Sequence, residues 1–251
     1  MKLQALFFEI DGVLVDVSRS YRRAVEETVA HFTGRPIEPG TLQRYKILGG
    51  FADDWRLTQA IVADAGIQVS AGRVADEFQR RYRGENWDGV VLEETPLVQV
   101  RTLERLQRSD RVMVIVSSRP DAEVQWILER FGWKRYFPLL ITREAQDGRG
   151  GLDPYPLLRA LAILDAAGRP IEPGETAFVS ASSEDMTVAA AAGVWGIGVS
   201  AGHETAADQE EAWLREAGAA VIVHTVDALP GIVENLAEHT TRTSPRSDTD
   251  P

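Results

Sequence analysis

The chain has 251 residues, and its 27 basic and 38 acidic side chains give a formal net charge of −11. A field of this sign repels nucleic acid and anionic membranes, while the absence of cysteine excludes disulfides, a thiol nucleophile and a Cys-ligated zinc site. The His residues show no metal-ligand spacing. No apolar run approaches the roughly 18 residues of a membrane helix, and the first residues do not resemble a signal peptide. We therefore expect a cytoplasmic protein.

The first predicted element is a buried strand at residues 3–8, which ends at an Asp11-Gly12 turn. Alternate residues of an extended chain share a face, so Glu9 and Asp11 project together at the carboxyl end of the strand. Open α/β sheets bind ligands at that edge. These carboxylates could act as nucleophile and general acid or as magnesium ligands, or they could simply form an acidic turn in which Asp11 caps a helix.

Residues 16–94 carry helical stripes and no convincing strand, which predicts an all-helical insertion directly after the first strand. The stripes contain Tyr21, Val25, Val29 and Phe32, then Trp55, Thr58, Ile61, Val62 and Ala65, then Val74, Phe78 and Tyr82. Lys46 precedes Gly49-Gly50 and is followed by Asp53-Asp54. A basic residue beside a flexible turn could contact a substrate, whereas the two carboxylates more simply cap a helix.

Strands and helices alternate over the rest of the chain. Apolar runs at 112–116, 139–141, 177–179, 197–199 and 221–223 predict strands. Leucine, valine and isoleucine recur at helical spacing between them, and we expect one helix to open at Thr95-Pro96 and another to end before Gly168. This order predicts an α/β fold, a doubly wound parallel sheet formed by residues 1–15 and 95–238.

Two further features have no assigned function. The heptapeptide Gly-Arg-Pro-Ile-Glu-Pro-Gly occurs at 34–40 and again at 168–174, each time where a helix is predicted to end. Its flanks differ, so it does not indicate a repeat architecture. The tail at 239–251 is rich in Ser, Thr, Asp and Pro, and we expect it to be disordered.

The segment from Phe8 to Leu14 resembles the first motif of the haloacid dehalogenase (HAD) superfamily, Asp-x-Asp-Gly-Val/Thr-Leu. Val116-Ser117-Ser118-Arg119-Pro120 resembles the second motif, Leu152-Asp153-Pro154-Tyr155-Pro156 the Lys-Pro-x-Pro region, and Ser180 to Asp185 the Gly-Asp-x-x-x-Asp metal loop. The inserted helices resemble the cap of the subgroup that contains phosphoglycolate phosphatases and β-phosphoglucomutases. The resemblance implies a Rossmann-like core with a helical cap and a phosphorylated small-molecule ligand.

The same resemblance assigns roles residue by residue. It makes Glu9 and Asp11 the catalytic pair, with Gly12, Ser117 and Ser118 binding phosphate. It implies Mg²⁺ held by Glu9, the Asp11 carbonyl and Asp185. Arg119, Arg143 or Arg149 could supply a missing positive charge, although each is more simply a solvated surface residue.

Three family positions are substituted. The nucleophile Asp is replaced by Glu9, the Lys corresponds to Leu152, and the first acid of the metal loop corresponds to Ala181. An extra methylene displaces the nucleophile by about 1 Å, which can cost ~10²-fold in rate. Losing one preorganised electrostatic partner costs about 3 kcal/mol. Mg²⁺ binding is therefore expected to be weak or absent.

These substitutions favour a catalytically impaired binder of a phosphorylated metabolite. An active Mg-dependent phosphomonoester hydrolase that uses Glu9 and Asp11 is the first alternative, since Asp11 is intact. A scaffold for a protein partner is the second, because fold alone does not determine function. The ligand and the oligomeric state are left open.

Overall fold

A computed structural model describes residues 3–48, 54–108, 110–200 and 207–234. The strands within these ranges are β1 Ala5–Phe8, β2 Val15–Asp16, β3 Thr95–Pro96, β4 Val112–Val116, β5 Leu139–Ile141, β6 Thr176–Ser180, β7 Trp195–Val199 and β8 Val221–Val223. The helices are α1 Tyr21–Thr33, α2 Thr41–Leu48, α3 Asp54–Asp64, α4 Ala71–Tyr82, α5 Val100–Arg108, α6 Asp121–Arg130, α7 Tyr155–Ala166, α8 Ser183–Ala191 and α9 Ala207–Glu216. None of these helices has the length and apolarity needed to cross a bilayer.

Six strands form one parallel sheet in the order β5-β4-β1-β6-β7-β8. β1 lies at its centre, where Phe8 is paired with Ile115 of β4 and Val179 of β6. The carboxyl ends of β1, β4 and β6 therefore lie side by side at one edge of the sheet. The predicted doubly wound parallel sheet is confirmed, and every strand expected in it is present.

Both faces of the sheet are covered by helices. Successive β1 side chains point to opposite faces, so Leu6 and Phe8 pack with residues of α5 and α6, while Ala5 and Phe7 pack with residues of α7 and α8. All four of these β1 side chains are fully buried. Burying a large apolar side chain is worth about 1.5–3 kcal/mol, so β1 is anchored firmly between the two layers.

Helices α1 to α4 form a cap with a hydrophobic cluster of its own. The chain enters the cap through β2 and leaves it through β3, and these two strands pair antiparallel, Val15 with Pro96 and Asp16 with Thr95. Val17 and Trp126 pack against both the cap cluster and one cluster of the core. The cap is thus joined to the core by a two-stranded crossing and by shared apolar contacts.

The prediction that a helix opens at Thr95-Pro96 is wrong. These residues form β3, and α5 begins only at Val100. The next amide, that of Leu97, donates to the Leu14 carbonyl at 2.8 Å, which continues the crossing strands. The carboxylate of Asp227 accepts from the Gln99 amide at 3.1 Å, so the first turn of α5 is fixed by a distant residue that local sequence could not reveal.

Both copies of the repeated heptapeptide terminate a helix. Gly34 follows α1 with φ 71°, and Gly168 follows the end of α7 with φ 79°. This left-handed conformation favours glycine, and in both loops its amide satisfies a carbonyl of the last helical turn. The repeat is therefore a helix-ending loop used twice. The tail at 239–251 lies outside the described residues.

Candidate active site

Glu9 and Ser117 meet at the edge where β1 and β4 end. Glu9 directly follows β1, and its Oε1 accepts hydrogen bonds from the Ser117 hydroxyl at 2.7 Å and from the Ile10 amide at 3.0 Å. Ser117 directly follows β4 and is 1% exposed. The neighbouring strands thus bring these two predicted site residues into direct contact.

Glu9 holds a proton more tightly than an ordinary glutamate. Burial, and then the charges of Asp11 and Asp185, raise the pKa of Glu9 to about 8, despite the hydrogen bonds it accepts. This arrangement therefore favours the protonated form of the Glu9 carboxyl. A protonated carboxyl is a poor nucleophile, so this state is unsuited to attack on phosphorus.

Asp185 and Ala181 approach the site from the end of β6. Asp185 lies in the first turn of α8, and its Oδ2 accepts from the Ser180 hydroxyl at 2.5 Å. Burial raises the pKa of Asp185 to about 6. A Cβ atom at Gly12, which has φ +70°, would lie 3.3 Å from the Cβ of Ala181. The loops after β1 and β6 therefore touch, and Ala181 offers no oxygen at the contact.

Asp11 is held by a buried arginine. Arg119 is 1% exposed, and its Nε and Nη2 lie 2.7 and 2.5 Å from Asp11 Oδ1. The expectation of a solvated surface residue is therefore wrong for Arg119, which follows β4 and points inward beneath the cap. Arg119, two residues after Ser117, therefore brings a positive charge to the site. The resemblance to the family implies a Lys for this purpose, and this chain does not have it at the matching position.

Glu94 is the second carboxylate on Arg119. It is 1% exposed and accepts from Nη2 at 3.1 Å and Nη1 at 3.3 Å, from the Ser20 hydroxyl at 2.7 Å and from the Tyr82 hydroxyl at 2.8 Å. The Tyr82 hydroxyl in turn accepts from Arg119 Nη1 at 2.5 Å, and the guanidinium lies 4.6 Å from the centre of the Tyr21 ring. Sequence reasoning missed this network because Glu94, in a linker, carries no motif signal.

These contacts keep Arg119 charged. Burial alone lowers the pKa of a guanidinium, but Asp11, Tyr82, Glu94 and Tyr21 together raise the pKa of Arg119 well above its ordinary value. The buried surroundings also raise the pKa of Tyr21 and of Tyr82, so both tyrosines keep their hydroxyl protons. The network therefore combines one fixed positive charge with two carboxylates and neutral phenols.

Three further contacts close the cap over the core. The first is Glu123 of α6, whose carboxylate accepts from the Tyr21 hydroxyl at 2.6 Å and from Gln79 Nε2 at 2.5 Å. The second is a stack of Trp87 on Trp126, with ring centres 5.0 Å apart and planes 8° apart. The third places the guanidinium of Arg143 4.0 Å from the centre of the Trp55 ring in α3. The cap thus contacts the core at three places besides the Arg119 network.

The remaining predicted site residues have different surroundings. The Gly12 amide, assigned to phosphate, donates to the Val15 carbonyl at 2.9 Å and is not free in this conformation. Ser118 is exposed, and its carbonyl accepts from Arg143 Nε at 3.0 Å. Lys46 lies in α2, but its side chain is outside the described part of the structure, as are Gly49-Gly50 and Asp53.

The third motif brings no cation. Leu152 is 59% exposed. In Lys-Pro-x-Pro the Lys directly precedes the first proline, and in this chain the residue directly before Pro154-Tyr155-Pro156 is Asp153. Asp153 accepts from Arg149 Nε at 2.9 Å, an exposed pair of modest strength. Whether Leu152 or Asp153 is taken as the equivalent position, the family Lys is absent.

The residues around Glu9 do not fit a firmly held Mg²⁺. Glu9 and Asp185 each accept from a serine hydroxyl, and the side chain of Ala181 has no ligand atom. Within the described ranges, no group of three or more His, Asp or Glu side chains is arranged to hold a metal ion. Mg²⁺ prefers near-octahedral oxygen ligands. We therefore assign it no catalytic step.

Comparison with known proteins gives sequence relatives over most of the chain. The chain is 30% identical over 203 residues to an imidazoleglycerol-phosphate dehydratase of Phytophthora nicotianae, covering 78% of this chain and 43% of that protein. It is 26% identical over 189 residues to phosphoglycolate phosphatase 1 of Pseudomonas aeruginosa, covering 75% of this chain and 66% of that protein. The chain thus spans less than half the length of the dehydratase.

The fold has solved counterparts as well. A predicted phosphatase from Clostridium acetobutylicum superposes with a TM-score of 0.72 at 19% identity, covering 94% of this chain and 100% of that one. At this identity the likeness establishes the fold alone. The family model of the haloacid dehalogenase-like hydrolases matches residues 3–193, from the start of the sheet to the turn after α8. This confirms the resemblance drawn from the motifs: the chain belongs to the haloacid dehalogenase-like hydrolase family.

Proposed function

We propose that the protein binds a phosphorylated small molecule in the crevice beneath the cap and hydrolyses phosphomonoesters very slowly or not at all. The contact between Asp11 and Arg119 carries the proposal. Asp11 is the residue expected to exchange a proton with the leaving group, and its Oδ1 is held by two N–H groups of a buried guanidinium. A general acid must reach the reacting oxygen, and this pairing holds the Asp11 carboxyl on the guanidinium instead.

The case for a phosphorylated ligand is chemical. The Ser117 hydroxyl, which donates to Glu9 in this structure, lies at the edge where α/β sheets bind ligands, and the raised pKa of Glu9 favours a neutral carboxyl that repels an incoming dianion less. The relatives point the same way, since one of them is named a phosphoglycolate phosphatase. The protein's net charge of −11 works against anions, so we expect weak, at best micromolar, binding that improves with Mg²⁺.

One observation favours the alternative, an active hydrolase that uses Glu9 and Asp11. The charge of the absent family Lys has a candidate replacement in Arg119, which is buried and lies 2.5 Å from Asp11. A single guanidinium shared by Asp11 and Glu94 leaves one negative charge in excess, however, so the compensation is incomplete. We therefore rank this function second.

Phosphate release separates the two functions. Purified protein would be incubated with p-nitrophenyl phosphate and a panel of sugar and carboxylic-acid phosphates, with Mg²⁺ or with EDTA. We expect turnover far below about 1 s⁻¹, the low end of ordinary enzymes. A Mg-dependent rate at or above that value, lost in Glu9→Ala, would establish the hydrolase instead.

Ligand binding is tested by thermal shift and calorimetry with phosphate, vanadate and sugar phosphates, again with Mg²⁺ or EDTA. We expect stabilisation with Mg²⁺ that is lost in the Ser117→Ala/Ser118→Ala double variant. Binding that survives in this variant places the anion elsewhere. If no ligand raises the melting temperature under any condition, the binding function fails and a scaffold for a protein partner is left.

A further inference from the structure

The network around Arg119 joins four segments that are far apart in sequence. Asp11 belongs to the loop after β1, Arg119 to the loop after β4, Tyr82 to the end of cap helix α4, and Glu94 to the linker that leaves the cap. Ser20, which donates to Glu94 at 2.7 Å, belongs to the linker that enters the cap. Two loops of the core, one cap helix and both linkers of the cap therefore contact one buried ion network.

Arg119 has no spare donor. Its Nε bonds Asp11, its Nη1 bonds Tyr82 and Glu94, and its Nη2 bonds Asp11 and Glu94. A guanidinium is a rigid planar fork, so the direction of each N–H group fixes the direction of the others. If the partners on one side move, the guanidinium must turn or leave a buried charge unpaired, which is costly. The position of Tyr82 is thus linked through Arg119 to that of Asp11.

We propose that Arg119 is a positioning residue that couples closure of the cap to the orientation of Asp11. With the cap down, the Tyr82 hydroxyl and the Tyr21 ring complete the surroundings of Arg119, and the guanidinium fixes Asp11. With the cap raised, both tyrosines withdraw and the guanidinium is able to turn, so Asp11 is no longer held in one orientation. The inference rests on the proposed function to the extent that Asp11 faces the bound ligand, but the coupling exists without any ligand.

Tyr82→Phe tests the coupling with the smallest change. It removes a hydroxyl 2.5 Å from Arg119 Nη1 and 2.8 Å from Glu94 but keeps the buried ring. Tyr155→Phe is the matched control, because the Tyr155 hydroxyl also joins an arginine, Arg159, to an acid, at an exposed site in α7. The readout is hydrogen–deuterium exchange of the full-length, ligand-free protein, followed by mass spectrometry.

The loop after β1 provides a specific reporter in the core. The amides of residues 12 to 15 all donate within this loop, so their exchange measures its opening. In Tyr82→Phe we expect about ten-fold faster exchange of these amides, because that is the factor for losing one hydrogen bond to a charged group. We expect no change in the exchange of α7. Tyr155→Phe should leave the loop unchanged. Arg119→Lys, which keeps the charge but not the fork, should match Tyr82→Phe.

A purely structural role for the network gives a different pattern. Faster exchange confined to cap helices α1 and α4, with the loop after β1 unaffected, would overturn the coupling, and so would an Arg119→Lys variant that exchanges like the wild type. If Tyr82→Phe does not fold, Ser20→Ala removes another donor from Glu94 and is scored by the same pattern. Since no ligand is added, these outcomes are independent of whether phosphate or vanadate binds.

Discussion

At the scale of single residues, the candidate site residues are in contact with their neighbours. Glu9, Ser117 and Asp185 all lie at the predicted edge of the sheet, but each is engaged with a neighbouring group. The Glu9 carboxyl reaches one methylene further than an aspartate and meets the Ser117 hydroxyl. Restoring the family residues is therefore a direct test of which differences matter.

We predict that Glu9→Asp, Ala181→Asp and a lysine before Pro-x-Pro restore activity only in combination, because residues that act as a unit are strongly non-additive. The lysine is introduced as Asp153→Lys and, in a parallel variant, as Leu152→Lys at an exposed position. We expect about 10²-fold more Mg-dependent phosphate release from the triple variant that carries Asp153→Lys than from any single change. Equal rates for both lysine positions would contradict the expectation that a lysine works best directly before Pro154.

The contribution of Glu123 to the free energy of unfolding depends on pH, and the Glu123→Gln variant lacks this dependence. Burial raises the pKa of Glu123 above its ordinary value of 4.5, although Arg119, Tyr21 and Gln79 act in the opposite direction. A folded-state pKa above the unfolded one means that the contribution of Glu123 to stability is present below 4.5 and is lost as the pH rises through the folded-state pKa.

We therefore expect Glu123→Gln to become more stable relative to wild type as the pH rises above 4.5. Glutamine at position 123 can keep the contacts with both Tyr21 and Gln79. Gln79 Oε1 is buried and, among the described residues, has no hydrogen-bond partner. This oxygen can therefore accept from the new amide. Urea unfolding at several pH values measures the difference. A difference that is constant with pH, or that shrinks as the pH rises, would contradict the assignment.

Motifs located the residues of the site but not their partners. Glu9, Asp11 and Ser117 were predictable because each follows a strand whose neighbours in the sheet are set by α/β topology. The burial of Arg119 was not predictable, because it depends on Glu94 and Tyr82, which approach from the cap. Pairing of a charge across a domain boundary leaves no local periodicity for sequence reasoning to detect.

At the scale of elements, the end of α4 positions Tyr82 and the linker after it. The chain turns back at once, and Gly89 lies in close contact with this helix end. A Cβ atom at Gly89 would lie 2.5 Å from the carbonyl oxygens of Arg81 and Tyr82. These are backbone atoms, so they cannot move aside as a flexible side chain would. The turn therefore requires glycine for space rather than for its φ angle.

We predict opposite effects for two glycine-to-alanine changes in and beside α4. Gly89→Ala should destabilise the protein by about 3 kcal/mol, because backbone must shift. Gly72→Ala, in the first turn of α4 with open space around its Cα, should stabilise it by about 0.5–1 kcal/mol through helix propensity. Urea midpoints of the two variants provide the measurement. If Gly89→Ala is neutral, the tight turn is not rigid.

Elements of the core were predictable where periodicity was strong. Three strands, β4, β5 and β8, have the predicted bounds, and α1 and α4 begin and end close to their stripes. The start of α5 was not predictable, because Thr95-Pro96 has the composition of a helix start but is drawn into pairing with β2. Tertiary pairing overrode local preference there.

At the scale of the whole molecule, the cap and the core have separate apolar clusters and are joined by contacts between their surfaces. One of them is the stack of Trp87 on Trp126, flanked by Arg83 at 5.2 Å from the centre of the first ring and by Arg130 at 5.1 Å from the centre of the second. Aromatic pairs contribute about 0.5–1.5 kcal/mol beyond their buried area, and cation–π contacts add about 0.5–1 kcal/mol each.

We predict that Trp126→Leu lowers stability by about 2 kcal/mol, or roughly 4–8 °C in Tm for a chain of this size, and separates unfolding of the cap from that of the core. Trp195→Leu is the control, since Trp195 is 40% exposed in β7 and is not part of the stack. It should change Tm by no more than about 2 °C. Scanning calorimetry distinguishes one transition from two. A single unshifted transition in Trp126→Leu would show that the stack does not join the domains.

The pairing of β2 with β3 makes the cap an exchangeable insert. Asp16 and Thr95 are opposite each other in an antiparallel pair, so a two-residue hairpin turn such as Asn-Gly can connect them and bypass residues 17–94 without rerouting any strand of the sheet. Such a shortcut leaves Arg119 with Asp11 alone and opens it to water. A minimal core built in this way therefore needs a new residue at position 119, whereas a cap grafted from a relative needs to bring its own partner for that arginine.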